Sequence, residues 1–94
     1  MSGMALMPRL IQFLVVKRFI YTVRKHRYKM CSLVWIDEVG LCKRTEIMQI
    51  TNKFDLEPYT VGSGFDSTEE WWNAIRCFIK SGEPMYLYKV EVNA

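Results

Sequence analysis

The sequence predicts a small α+β fold: five or six short strands and two helices, arranged as a small curled sheet or barrel. Three observations carry this. At 94 residues the chain has room for one core, so residues 1–94 read as a single domain. Half of the residues are hydrophobic and 24% are charged, a composition that folds. Short β-branched and aromatic runs are separated by turn residues, with one helix late in the chain that carries start and stop signals.

Taken in order, Met4–Met7 suits a short first strand. Pro8 then fits the first turn of a helix, where its missing N–H costs nothing. "RLIQFLVVKR" (9–18) suits a largely buried helix with Arg9, Gln12, Lys17 and Arg18 at its rim, although Ile11, Phe13 and Val15 also alternate as a strand would. "FIYTV" (19–23) is β-branched and aromatic throughout, which favours a strand. After the charged loop "RKHRYK" (24–29), "SLVWI" (32–36) reads as the next strand and "DEVG" (37–40) as a turn. Residues Lys43–Asn52 alternate, with Ile47, Gln49 and Thr51 on one face and Glu46, Met48 and Ile50 on the other.

"STEEWWNAIRCFIKSG" (67–82) is the helix with punctuation. Ser67 is its N-cap, Glu70 completes a capping box, and Glu69 and Glu70 suit the positive end of the helix dipole. Trp71, Trp72, Ile75, Phe78 and Ile79 make one apolar stripe, so both tryptophans read as core. The helix runs to about Ser81, where Gly82 and Pro84 stop it. "MYLYKVEV" (85–92) closes the domain as a strand with Tyr86, Tyr88, Val90 and Val92 on one face.

Several function classes are disfavoured. Cys31, Cys42 and Cys77 are odd in number and widely spaced, and His26 is the lone histidine, which argues against a metal site and for reduced thiols in a cytoplasmic setting. No cofactor motif is present. "LIQFLVV" (10–16) is too short to span a bilayer, and "MSGMALMP" lacks the positive start of a signal peptide, so no membrane partner is expected. The acid pairs Asp37/Glu38 and Glu69/Glu70 sit at a turn and at a helix start, where structural roles explain them. "VGSGF" (61–65) could hold an anion on its backbone N–H groups, but such glycines more often make the turn.

Charge is distributed unevenly. The net charge is +3, yet residues 1–36 carry seven Lys/Arg and no acid, while residues 37–94 carry six Lys/Arg and ten acids. "KRFIYTVRKHRYK" (17–29) alone holds six cations, with Tyr21, His26 and Tyr28 interleaved. Clustered cations repel one another, and rings among guanidinium groups suit bases and phosphates together. Against the bland reading of a solvated loop, this pattern points to a polyanion-binding surface.

The order of these segments resembles that of ASCH domains, in the PUA-like superfamily. That family shows a buried helix, a G-x-K-T-x-T-x-R motif, a YK-x-G-D turn before a strand, a GF-x-S-x-E-E helix start and a closing strand. Here stand "KRFIYTVR" (17–24), "YKMCSLVWI" (28–36), "GFDSTEEW" (64–71) and "YLYKVEV" (86–92), and with the helix ahead of them the ordered match covers about residues 5–92. The resemblance implies a PUA-like β pseudo-barrel and an association with RNA. Some single-domain members are amidohydrolases of acetylated cytidine that use the motif's Lys and Thr and a Glu ahead of the second helix. Thr22 and Arg24 match, but Lys17 replaces the Gly, Phe19 replaces the Lys, Cys31 and Ser32 replace the Gly-Asp, and no Glu stands near Ser63. A Thr hydroxyl without a base is a poor nucleophile, and the neighbouring Arg18 cannot act as one.

The reading that follows is an RNA- or nucleotide-binding module whose basic cleft is formed by Arg18, Thr22, Arg24, Lys25, Arg27, Tyr28 and Lys29. Arg24 would take a phosphate with its fork, Arg27 and Lys29 would add charge, Tyr28 would stack on a base and Thr22 would donate a hydrogen bond. Single-stranded DNA is a further expected ligand. The alternatives are residual hydrolysis of acetylated cytidine, and an adaptor or inhibitor docking an acidic protein.

Overall fold

The computed structural model describes residues 2–4 and 6–93 and has an α+β architecture. In chain order the elements are β1 (Ser2–Gly3), α1 (Pro8–Lys17), β2 (Phe19–Arg24), β3 (Cys31–Ile36), β4 (Gly40–Ile50), a 3₁₀ helix (Lys53–Gly62), α2 (Thr68–Phe78) and β5 (Met85–Val92). The strands form one sheet in the order β1-β3-β4-β5-β2, antiparallel except for the β1–β3 pair. No helix among the described residues is long and apolar enough to cross a membrane.

The first strand lies earlier than expected. β1 pairs through Ser2 and Gly3, and Met4 adds one bond to Trp35; Leu6 and Met7 are not in a strand, and residue 5 lies outside the described residues. Pro8 opens α1 as its sequence context requires. The helix is less buried than its composition suggests: Leu10 and Leu14 are buried, while Val16 is 70% exposed. One narrow strip therefore anchors α1, and each of its two leucines contributes about 1.5–3 kcal/mol by burial.

That strip packs on one face of the sheet, against Ile20, Val34, Ile36, Cys42 and Val90. A second core lies on the opposite face, where Trp71, Ile75 and Ile79 of the α2 segment and Leu56 of the 3₁₀ helix meet Ile50, Met85 and Leu87. β5 sits between β4 and β2 and is apolar on both faces at its centre, with Leu87, Tyr88 and Val90 fully buried. The two small cores share this one strand.

β4 departs from simple alternation. Its register pairs Glu46 with Tyr88 but Met48 with Leu87, so a β-bulge absorbs one residue. Glu46 therefore stays on the α1 face with Cys42 and Arg44, and Met48 and Ile50 move to the α2 face. The expected common face for Glu46, Met48 and Ile50 is corrected by this bulge.

α2 has its predicted cap, with Ser67 Oγ accepting from the Glu70 N–H at 3.1 Å. The other half of the capping box is diverted. Glu70 instead accepts from Arg9 at 2.8 Å, and Arg9 also donates to the Gly64 carbonyl and lies over the Phe65 ring. The helix ends at Phe78, earlier than Gly82 implied, because Ile79 turns extended and enters the core. The stripe is narrower too: Phe78 is 69% exposed and Trp72 is half-buried under Arg76, leaving Trp71, Ile75 and Ile79 as the buried residues.

Candidate ligand pocket

β2 is an edge strand, and its C-terminal end runs alongside both helices. A cavity of about 430 Å³ opens there. Leu6, Met7 and Leu10 wall one side, and Trp71, Ala74, Ile75, Phe78 and Ile79 wall the other, with Phe65 between. Phe65 and Trp71 stack nearly parallel, 6.4 Å apart at 12°. The polar lining comes from the basic stretch: Thr22, Arg24, Lys25, His26 and Tyr28. Volume, apolar walls and a few convergent polar groups are the features of a small-molecule site.

Thr22 pairs with Tyr88 and Arg24 with Tyr86, so both side chains share a face; Val23 pairs with Leu87 on the other face and also lines the cavity. Arg24 lies partly buried, and that burial holds its guanidinium below the ordinary arginine range, with the nearby charge of Arg44 pushing the same way. Lys25 reaches Glu83 at 3.8 Å.

The other predicted residues are placed elsewhere. Arg18 caps α1 in the left-handed conformation (φ 72°), with its N–H on the Leu14 carbonyl at 2.8 Å. Six residues of extended strand separate it from Arg24, roughly 20 Å. Arg27 turns away to Glu46 in a two-pronged bond, 2.9 Å from each oxygen, and this carboxylate raises its pKa further. Lys29 is exposed and outside the pocket. The structure therefore gathers Thr22, Arg24, Lys25 and Tyr28 and leaves Arg18, Arg27 and Lys29 outside.

Charge clustering is partly relieved within the fold itself, by Glu46 for Arg27 and Glu83 for Lys25. Among the described residues, Lys17, Arg18 and Lys29 form no ion pair. The loop is also pinned. Tyr28 N–H donates to the Tyr88 hydroxyl at 2.8 Å, and the Met30 carbonyl accepts from Glu46 N–H at 2.8 Å. Tyr28 and Tyr88 meet edge to face at 5.7 Å.

Two features of the site were not anticipated. Phe65 and Trp71 are pocket walls as well as core, and Arg44 lies just behind Tyr28, its guanidinium carbon 3.6 Å from the ring centre. Arg44 is 4% exposed. "VGSGF" serves the turn: Ser63 Oγ accepts from Phe65 N–H and donates to the Thr60 carbonyl, which uses groups an anion would need. A Cβ on Gly62 would come within 2.6 Å of the Tyr21 ring, so close packing explains that glycine. Among the described residues no three His, Cys, Asp or Glu side chains cluster, and Cys31, Cys42 and Cys77 are free thiols. Comparison with protein-family models, with curated proteins and with solved structures returns no match.

Proposed function

We propose that the chain is an RNA-binding module of PUA-like, ASCH-type character that takes one nucleotide of a single strand into this pocket. The sheet order, edged by β1 and β2, would then be an open version of that superfamily's pseudo-barrel. One observation carries the functional reading: Thr22, Arg24, Lys25 and Tyr28 of the basic stretch line the same cavity as Phe65 and Trp71. A base turned out of a strand gains apolar and aromatic contact from the walls. Its phosphate meets the cationic end, and Thr22 supplies a hydrogen bond.

Hydrolysis of acetylated cytidine is the second reading, favoured by Thr22 lying in the pocket beside Lys25 and His26. The residues lining the cavity include no Asp or Glu, so a carboxylate partner for that chemistry would have to come from the substrate's surroundings. Docking of an acidic protein would instead use the exposed cations Lys17, Arg18 and Lys29.

Fluorescence anisotropy with labelled single-stranded RNA and DNA, over a range of salt, tests the choice. Two phosphate-contacting cations imply a slope of log affinity against log salt of about −1.4, against roughly −3 for four. Arg24→Ala and Lys25→Ala should weaken binding, while Arg18→Ala should leave it near wild type. Equal losses for Arg18→Ala and Arg24→Ala would point to diffuse surface attraction, and no binding of either strand would end the pocket reading. Release of acetate from acetylated cytidine would move the hydrolase to first place.

A further inference from the structure

We propose that a phosphate subsite lies directly behind Tyr28, formed by Arg44 and Ser32, and that the Tyr28 ring fills it when no ligand is bound. This rests on the pocket being a nucleotide site, and it assigns the phosphate end of that ligand.

Arg44 is the central observation. It is 96% buried at the middle of β4, and no described carboxylate pairs with it. Its Nε is buried without an acceptor. The ring of Tyr28 at 3.6 Å and that of Tyr88 at 5.7 Å are what it faces. Rings attract a guanidinium by about 0.5–2 kcal/mol, far less than a buried cation loses with its water. Glu46 is the carboxylate on this face of β4, and both of its oxygens are taken by Arg27. Among the described residues, this buried cation therefore has no carboxylate counter-ion.

Ser32 supplies the second, independent observation. The register sets it opposite Arg44, and its buried hydroxyl has no partner. Cross-strand neighbours on one face stand about 4.5–5.5 Å apart at Cβ. Unmatched buried donors are rare in folded proteins, and two side by side point to a missing acceptor. An anion answers both, and on the nucleotide reading that anion is the ligand's phosphate.

Tyr28 separates this subsite from the cavity. Its ring lines the pocket on one side and covers Arg44 on the other. The residue is 36% exposed and lies in a segment with no helix or strand. Its backbone N–H donates to the Tyr88 hydroxyl, while its ring rests on Arg44 and edge to face against Tyr88. Rotation of the side chain opens the way to Arg44 while that bond stays made. The ring thus occupies on Arg44 the position a phosphate or a stacked base would take.

Thermal melts with inorganic phosphate, against sodium chloride of matched ionic strength, read the subsite directly. Wild type should gain melting temperature with phosphate, Tyr28→Ala should gain more at the same concentration, and Arg44→Met should not respond. Arg44→Met should also melt no lower than wild type in phosphate-free buffer, since an apolar residue of similar volume often replaces a buried cation without loss. A purely structural Arg44 predicts the reverse. Should Arg44→Met fail to fold, Ser32→Ala and Arg44→Lys carry the same test, each expected to reduce the phosphate response. Calorimetry then compares ribonucleoside 5′-monophosphates with their nucleosides. Monophosphates should bind wild type roughly ten- to a hundredfold tighter, a gap that closes in the Arg44 variant. An equal phosphate response in wild type and variants, or no response at all, overturns the subsite. Nucleosides binding as well as monophosphates also overturns it while the pocket reading stands; a phosphate response through Arg44 with no nucleotide affinity supports the subsite and rejects the nucleotide pocket.

Discussion

Replacing Trp71 by alanine tests how the second core is built. The indole is 2% exposed, stacks on Phe65 and packs among Ile50, Leu56, Ile75 and Leu87. Removing so large a buried ring costs about 3–5 kcal/mol from lost transfer energy and the hole left behind. The pocket borders Trp71, so water and neighbouring side chains relax into the gap, and the lower half of that range is expected. A 94-residue domain holds about 5–14 kcal/mol in total, so this one substitution removes a large share. Trp72, one position on, is half-buried and should cost about 1–2 kcal/mol. Phe78, 69% exposed, should stay within about 0.5 kcal/mol. Urea melts followed by circular dichroism, which does not depend on the lost tryptophan signal, give all three. At about 4–8 °C per kcal/mol, thermal melts should separate Trp71→Ala from Phe78→Ala by more than about 10 °C. A Trp72→Ala loss equal to or larger than that of Trp71→Ala would refute this packing.

Arg27→Ala should lower the urea midpoint although Arg27 itself is largely exposed, because it strands Glu46, whose side chain is only 8% exposed. Arg27→Ala/Glu46→Gln should recover much of the loss; if the double variant is no better than the single, the pair is not what holds the loop. Acid should also weaken the fold. Hydrogen bonds from the Thr51 N–H and hydroxyl, and from Asn52 N–H, hold the Asp55 carboxyl below its usual pKa. A folded pKa below the unfolded one means its contribution is complete above about pH 4 and is lost as pH falls through the folded value. Glu83, lowered mainly by the Lys80 N–H, titrates in the same direction. Melts from pH 7 to 2 should show stability falling below about pH 4, with a shallower fall in Asp55→Ala; an unchanged profile in that variant would locate the acid sensitivity elsewhere.

The parts of the fold that were legible are those where local chemistry and burial agree. Ser67 at a cap, β-branched and aromatic residues at 19–23 and apolar alternation at 85–92 each favour one solution, and the structure adopts it, extending the first strand by Arg24. The 3₁₀ helix Lys53–Gly62 escaped because it lacks a 3.6-residue apolar repeat and has Pro58 inside; Asn52 and Asp55, which close its first turn, were its one local mark. The bulge in β4 has no sequence signal at all. It leaves Glu46 beside Tyr88 on one face and carries Met48 and Ile50 to the core on the other.

The candidate site was half legible, for a physical reason. Charge density along "KRFIYTVRKHRYK" is visible in one dimension, but direction is not, and β2 sends Arg24 toward the pocket while the loop turns Arg27 out to Glu46. Compensation is likewise three-dimensional, since Glu46 and Glu83 lie 19 and 58 positions along the chain from Arg27 and Lys25. Yet Arg44 did leave a trace. It stands two positions from Cys42 on a strand whose even positions face a core, so alternation alone places a cation inside. A buried cation that no carboxylate among the described residues pairs with asks what answers it, and the composition of its surroundings narrows the reply. Tyr28, Tyr88 and Ser32 are neutral, and Arg24 carries the same sign. On the proposal made above, the phosphate of a bound nucleotide would answer Arg44, and the pocket beside Tyr28 is where it would enter.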